Sequence, residues 1–273
     1  MGTLYLVGTP IGNLEDTSLR ALRILKSVSL IAAEDTRRAR ILARKYEIDT
    51  PITSYFEGNK LAKLDTVLDA LAGGDVAVIS EAGMPGLSDP GYELAQTAIE
   101  RGVPVVPIPG PSAPVTALVA SGLPTDRFLY LGFLSRRAKE RRDQLAEVTH
   151  EPYTLILFEV PHRLVDSLAD IEDVIGDRPI AVCRELTKLH EEVWRGSVSD
   201  ARDHFATIEP RGEFTLVVGG ASEEEARWDE ARVRAALDDL SAEGVSPSAA
   251  ARRVASLSGW RRREVYRLGL EET

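Results

Sequence analysis

Four short stretches hold the residues best suited to chemistry: Gly8-Thr9-Pro10-Ile11-Gly12-Asn13-Leu14, Ala33-Glu34-Asp35-Thr36-Arg37, the run from Ser80 to Asp89, and Pro109-Gly110-Pro111-Ser112. Between them they supply main chain bared by glycine, proline-stiffened turns, small hydroxyls and carboxylates. Glycine lets a ligand approach backbone N–H and C=O groups, and proline fixes the path of the loop. Such a set suits a compact polar ligand with an adenine and a charged amino-acid tail. The central stretch is Ile79 to Gly91, where Gly83, Pro85 and Gly86 hold a non-helical shape and Ser80 and Glu81 offer a hydroxyl and a carboxylate. The plain alternative is an ordinary strand-to-helix turn, in which glycine and proline are equally common.

Other chemistries lose ground on spacing. His150, His162, His190 and His204 are scattered and Cys183 has no second cysteine, so no metal-ligand pattern is present. There is no Gly-x-x-x-x-Gly-Lys-Ser/Thr loop for a nucleoside triphosphate and no Gly-x-Ser-x-Gly elbow. Pro10 stands where a dinucleotide fingerprint beginning at Gly8 needs its second glycine.

The elements that must position these loops follow from the pattern of apolar residues. Strands are expected at Thr3 to Val7, Val28 to Ala33, Ile52 to Tyr55, Val76 to Ile79 and Val103 to Ile108, alternating with helices. Asp89 is expected to cap the helix after the central loop, with Pro90 at its first position. Alternating strands and helices mean βαβ units and a mostly parallel sheet, which brings the four loops to one edge. Ser121-Gly122-Leu123-Pro124-Thr125 reads as a domain boundary. Beyond it, strands crowd between helices, which predicts a mixed sheet. Ser222-Glu223-Glu224-Glu225 reads as a polar link to three helices resembling a helix-turn-helix. The expected plan is an α/β chain: a domain over 1–121, a second α/β domain over 122–221, and a small helical tail over 222–273.

The chain has 273 residues, 44% hydrophobic and 28% charged, which argues against disorder. No apolar run is long enough to span a membrane, the first residues lack the pattern of a secretion signal, and the single cysteine fits a reducing cytoplasm. The net charge of −10 argues against nucleic acid taken alone, but the basic residues are clustered. Arg136, Arg137, Lys139, Arg141 and Arg142 face one acid, Glu140. Residues 245–267 carry Arg252, Arg253, Arg261, Arg262, Arg263 and Arg267 against Glu264. Each cluster is a candidate RNA-binding patch or a solvated helix face.

Taken in order, these pieces resemble the small-subunit ribosomal RNA methyltransferase I branch of the tetrapyrrole (corrin/porphyrin) methylases. The four loops carry the resemblance together with Gly132-Phe133-Leu134, His162-Arg163-Leu164, Arg184-Glu185-Leu186-Thr187-Lys188 and Gly212-Glu213-Phe214. The resemblance implies two α/β domains, a homodimer, and S-adenosylmethionine bound in the interdomain cleft. It implies methylation of a cytidine 2′-hydroxyl in the decoding region of 16S rRNA, with small-subunit rRNA or the small ribosomal subunit as partner. Pro10, Ser80, Glu81, Ala82, Gly83, Met84, Leu87, Pro111 and Ser112 would border the cofactor. Two positions depart from the family pattern: Glu81 where aspartate is common and Met84 where threonine is common.

Under that resemblance, a sulfonium methyl is already electrophilic, so the reaction needs alignment of the ribose oxygen and an acceptor for its proton. Glu185, Lys188, Glu34 and Asp35 are the candidates. The alternatives remain that Arg184 and Glu185 pair in the core and that Glu34-Asp35-Thr36 merely caps a helix. Two other functions stay open: methylation of a small tetrapyrrole, against which the basic helical tail argues, and non-catalytic RNA binding through that tail.

Overall fold

The computed structural model describes residues 2–56, 58 and 60–270. They form two compact units, Met1–Ala120 with Cys183–Val193, and Ser121–Val182 with Trp194–Thr273.

The first unit runs β1 (Leu4–Val7), α1 (Leu19–Ser27), β2 (Leu30–Ala33), α2 (Thr36–Tyr46), β3 (Ile52–Ser54), α3 (Lys60–Gly73), β4 (Val76–Ile79), α4 (Tyr92–Glu100), β5 (Val105–Ile108) and α5 (Ala113–Ser121). The sheet order is β3-β2-β4-β1-β5 and every neighbouring pair is parallel. Alternate residues explain why both faces are dry. Ala77 and Ile79 of β4 join a core with Ala21, Leu25 and Leu42 from α1 and α2. Val76 and Val78 join the opposite core with Leu68, Leu71 and Leu94 from α3 and α4. A parallel sheet covered on both faces leaves its carboxyl edge as the place for a site.

The second unit runs β6 (Phe128–Phe133), α6 (Ala138–Glu147), β7 (Thr154–Glu159), α7 (Leu164–Ile175), β8 (Pro179–Arg184), β9 (Glu192–Ser197), α8 (Val198–Thr207) and β10 (Phe214–Val218). Its sheet order is β6-β7-β10-β8-β9, mixed as expected, with β6 parallel and β10 antiparallel to β7. Leu155, Leu157, Leu216 and Val218 pack beneath Leu145, Leu164, Leu168 and Phe205 of the helices.

The tail follows as α9 (Glu223–Ala226), α10 (Glu230–Ala242), α11 (Pro247–Ser258) and α12 (Arg262–Leu268). The expected polar link is therefore a helical turn, closed by a capping box between Ser222 and Glu225. Val233, Leu237, Ala250, Ala251, Val254 and Val265 form the core of the tail. Trp260 Nε1 donates to Trp228 O at 2.6 Å, tying the turn before α12 to the start of α10.

The helix after the central loop corrects one expectation. It begins at Tyr92 with Gly91 as N-cap at φ 142°, so Asp89 is not the cap. No helix among the described residues is long and apolar enough to cross a membrane.

Candidate active site

The loop after β1 is stitched to the loop after β4. Thr9 N–H donates to Gly83 O at 2.9 Å and Gly83 N–H returns a bond to Thr9 O at 3.1 Å. A Cβ on Gly8 would lie 2.7 Å from Gly110 Cα and 2.6 Å from Met84 Sδ, so the loops after β1, β4 and β5 meet where only glycine fits. Gly83 adopts φ 81°, a conformation that strains any side chain. Pro111 O lies 3.7 Å from the place its Cβ would take. Gly8–Leu14, Ser80–Asp89 and Pro109–Ser112 are thus one continuous edge. A cavity of about 320 Å³ opens beside it, lined among others by Thr9, Pro10, Leu14, Ile41, Ser80 and Glu81.

Of the expected cofactor residues, Ser80 is buried, Gly83 is buried, and Leu87 and Glu81 are exposed. Pro10, Ala82, Met84, Pro111 and Ser112 are half-buried along the same edge. The Ser80 hydroxyl lies within hydrogen-bond reach of Ala82 O at 3.2 Å and Gly83 O at 3.3 Å, which fixes the turn from inside.

The loop after β2 contributes carboxylates. Glu34 accepts a hydrogen bond from Glu81 N–H at 3.0 Å, and the Glu81 carboxylate pairs with Arg38 at 2.9 Å. Asp35 caps α2 by accepting from Arg37 N–H at 2.7 Å, and the Arg37 guanidinium binds its other oxygen at 2.9 Å. Those bonds, the Arg37 side chain first, pull the Asp35 carboxyl down to about 2. Asp35 serves as the helix cap, and a carboxylate so stabilised is a weak proton acceptor.

Asp89 is the residue that sequence reading missed. Burial first, then the like charge of Glu34, pushes its carboxyl up from the usual 3.8 to about 7; a hydrogen bond from Ser80 opposes the rise and Glu81 adds to it. A carboxyl near neutrality among other carboxylates is an environment short of a positive charge. The signal available in the sequence was the count of acids on these loops, which does not say which of them is partly withdrawn from water.

The motif Arg184 to Lys188 lies in the first unit and closes over the β1 loop. A Cβ on Gly12 would lie 2.5 Å from Lys188 Cγ and 2.7 Å from Thr187 Oγ1. Asn13 N–H donates to Thr187 Oγ1 at 3.0 Å. Glu185 and Thr187 both hold positive φ, 50° and 67°. Such backbone strain persists only where neighbours over-determine it, and it gathers at working sites. Lys188 Nζ donates to Glu185 Oε1 at 2.8 Å, and both side chains are about a fifth exposed. Arg184 pairs with Glu192 at 3.6 Å. In a paired, partly exposed carboxylate and ammonium beside this loop edge, the ammonium can orient a hydroxyl and the carboxylate can take its proton. Among the described residues no cluster of His, Cys, Asp and Glu suits a metal ion.

The two basic clusters differ from their sequence reading. Arg141 is buried and bonded to Asp170, and Arg142 Nε lies 2.6 Å from the same carboxylate. Arg141 is therefore a core residue, and Arg142 is committed to α7. Arg137 pairs with Glu140 at 2.7 Å. Arg136 and Lys139 are exposed and engage no carboxylate among the described residues. In the tail, Arg261, Arg262 and Arg263 are all exposed, and Arg262 reaches Ser248 Oγ at 2.9 Å.

A family model for tetrapyrrole (corrin/porphyrin) methylases matches residues 3–202. Solved structures share the fold. A uroporphyrin-III C-methyltransferase from Thermus thermophilus complexed with S-adenyl homocysteine has TM-score 0.58 at 21% identity, covering 80% of this chain and 97% of that one. The methyltransferase CobJ has TM-score 0.60 at 18% identity, covering 81% and 95%. A second model, an RsmI C-terminal HTH domain, matches residues 228–273. Proteins named ribosomal RNA small subunit methyltransferase I are similar over nearly the full length. That of Synechocystis is 44% identical across 99% of this chain and 98% of its own, and that of Halalkalibacterium halodurans 44% across 99% and 96%. The Thermotoga maritima protein of the same name is 47% identical over 221 residues, 81% of this chain but 99% of its own length. The chain belongs to the ribosomal RNA small subunit methyltransferase I family of the tetrapyrrole methylases.

Proposed function

We propose that this chain transfers a methyl group from S-adenosylmethionine to the 2′-hydroxyl of a cytidine in the decoding region of small-subunit rRNA. The observation that carries the reading is the joint likeness: identity above 40% across both α/β units and the tail to proteins named for small-subunit rRNA. The fold neighbours named for uroporphyrin-III match about 80% of the chain, and the helix-turn-helix at 228–273 is matched by a model of its own, which favours RNA over a tetrapyrrole.

When bound, S-adenosylmethionine supplies an electrophilic sulfonium methyl. Pro10, Ser80, Glu81, Ala82, Gly83, Met84, Leu87, Pro111 and Ser112 lie on the edge that would hold it. Asp89 joins this group, because a carboxyl cluster short of positive charge fits a cationic ligand. Lys188 helps orient the ribose hydroxyl and the Glu185 carboxylate accepts its proton; Glu34, which already bonds Glu81 N–H, has a positioning role. Arg136, Lys139 and the tail arginines Arg261, Arg262 and Arg263 hold phosphate. Arg137 and Arg142 contribute only after leaving their present partners, and Arg141 drops out.

The substrate sets the reaction in the cytoplasm, and the working form is a homodimer. Val115 and Val119, one turn apart and exposed on α5, support the second of these. Incubation of the chain with labelled S-adenosylmethionine and small-subunit particles tests the reading. Label in the RNA is expected; label in an added tetrapyrrole and none in RNA would replace it.

A further inference from the structure

Gly132-Phe133-Leu134 and His162-Arg163-Leu164 remain outside the site just described. β6 and β7 pair Phe128 with Thr154, Leu129 with Leu155 and Tyr130 with Ile156. The register then skips to Gly132 with Leu157 and Phe133 with Phe158, leaving Leu131 as an extra residue. Gly132 takes φ 64° to make this bulge. Side chains alternate along a strand, so Phe133 would otherwise fall on the opposite face from Tyr130. The bulge instead sets both rings against Phe158, Tyr130 edge-on at 5.4 Å and Phe133 tilted at 5.3 Å. The other face of these strands holds the core residues Leu129, Leu155 and Leu157. Phe133 is nonetheless 50% exposed.

The platform is stiff and cationic at its rim. Glu159, fully buried, pairs with Arg163 at 2.7 Å and also bonds Ser167 Oγ. Arg163 donates to Leu134 O at 3.4 Å, so the turn carrying exposed His162 is fastened to the chain just after Phe133. The same chain continues within three residues to Arg136 and within six to Lys139. An exposed aromatic ring on a fixed support, beside cations without carboxylate partners, is how proteins hold single-stranded nucleic acid.

We propose that Phe133 is a stacking platform for an unpaired base of the RNA substrate, with Arg136 and Lys139 on the adjoining phosphates and His162 beside the base. The inference rests on the rRNA methyltransferase reading. It names where in the second unit the RNA strand is gripped, and it fits the fact that a 2′-hydroxyl is reached in an open strand.

The test uses the full-length chain and an unstructured, pyrimidine-rich single-stranded RNA oligonucleotide with one 2-aminopurine. Phe133→Ala is expected to weaken binding about 5- to 150-fold, the usual range for one lost stack, and to abolish 2-aminopurine quenching. Phe133→Tyr is expected to retain both. Wild-type affinity and quenching in Phe133→Ala would overturn the platform. So would a change of sedimentation coefficient in Phe133→Ala, because Phe133 would then be a contact between copies of the chain. Methyl transfer to small-subunit particles by the unaltered chain is measured alongside. Its absence would overturn the functional reading, whereas its presence with an unaffected Phe133→Ala would overturn the platform alone.

Discussion

Replacing Asp89 with asparagine should make the protein more stable at neutral and alkaline pH. In the fold, the Asp89 carboxyl titrates near 7 rather than 3.8, because burial and the charges of Glu34 and Glu81 outweigh the Ser80 hydrogen bond. Arg38, on the neighbouring helix α2, is already paired with Glu81. A folded value above the unfolded one means the native state holds a proton that the unfolded chain has released. Stability from this group therefore falls as pH rises from about 4 to about 7, and the penalty is constant above that. A shift of roughly three units sets an upper limit of about 4 kcal/mol, and because the Asp89 side chain is only half-buried, solvent screening reduces this to about 1–2 kcal/mol. Asp89→Asn keeps the shape and removes the charge. Urea denaturation of both proteins across pH 4.5 to 8.5 is the assay. The variant should match the parent near pH 4.5 and gain progressively to about 1–2 kcal/mol by pH 7.5. A stability difference that does not change with pH would refute the burial of this carboxyl. A cationic ligand at the cluster should lower the Asp89 value, so S-adenosylmethionine binding at pH 6.5 should release protons.

Three further perturbations address other parts of the structure. Gly12→Ala drives a methyl into Lys188 and Thr187; it should cost about 1–3 kcal/mol by overpacking and lower kcat more than cofactor affinity. Unaltered melting and turnover would detach the Arg184-to-Lys188 turn from the β1 loop. Asp170→Ala strands Arg141 in the core and should destabilise by about 3–5 kcal/mol, against near-neutrality if Arg141 lay on the surface. Alanine at Arg261, Arg262 and Arg263 should lower the salt slope of RNA binding by about one unit per lost phosphate contact while leaving cofactor affinity unchanged. A wild-type slope would return those arginines to solvent.

Periodicity revealed the architecture because it reports burial directly. Val76-Ala77-Val78-Ile79 is apolar at every position because helices cover both faces of the strand. The loops were legible for a similar reason: glycines at 8, 83 and 110 answer to close approach and positive φ, and those constraints are written in residue type. What stayed hidden depends on neighbours distant in sequence. Arg141 and Arg142 read as a basic patch because Asp170, which takes both, lies 29 and 28 residues away on another helix. Asp89 read as a helix cap because Asp-Pro-Gly fits a helix start, yet Gly91 does the capping and the carboxyl is left among Ser80, Glu34 and Glu81. The bulge at Leu131 has no mark beyond one glycine, and it alone decides which face of the sheet Phe133 occupies.

The most direct test of the proposed reaction is nucleoside analysis of small-subunit rRNA after incubation with the chain and isotopically labelled S-adenosylmethionine. Digestion and mass spectrometry should find the labelled methyl on the ribose of a single cytidine, in a linkage that resists alkaline cleavage because the 2′-oxygen is blocked. A methyl group on a base, or no transfer to RNA by a chain that binds the cofactor, would contradict it.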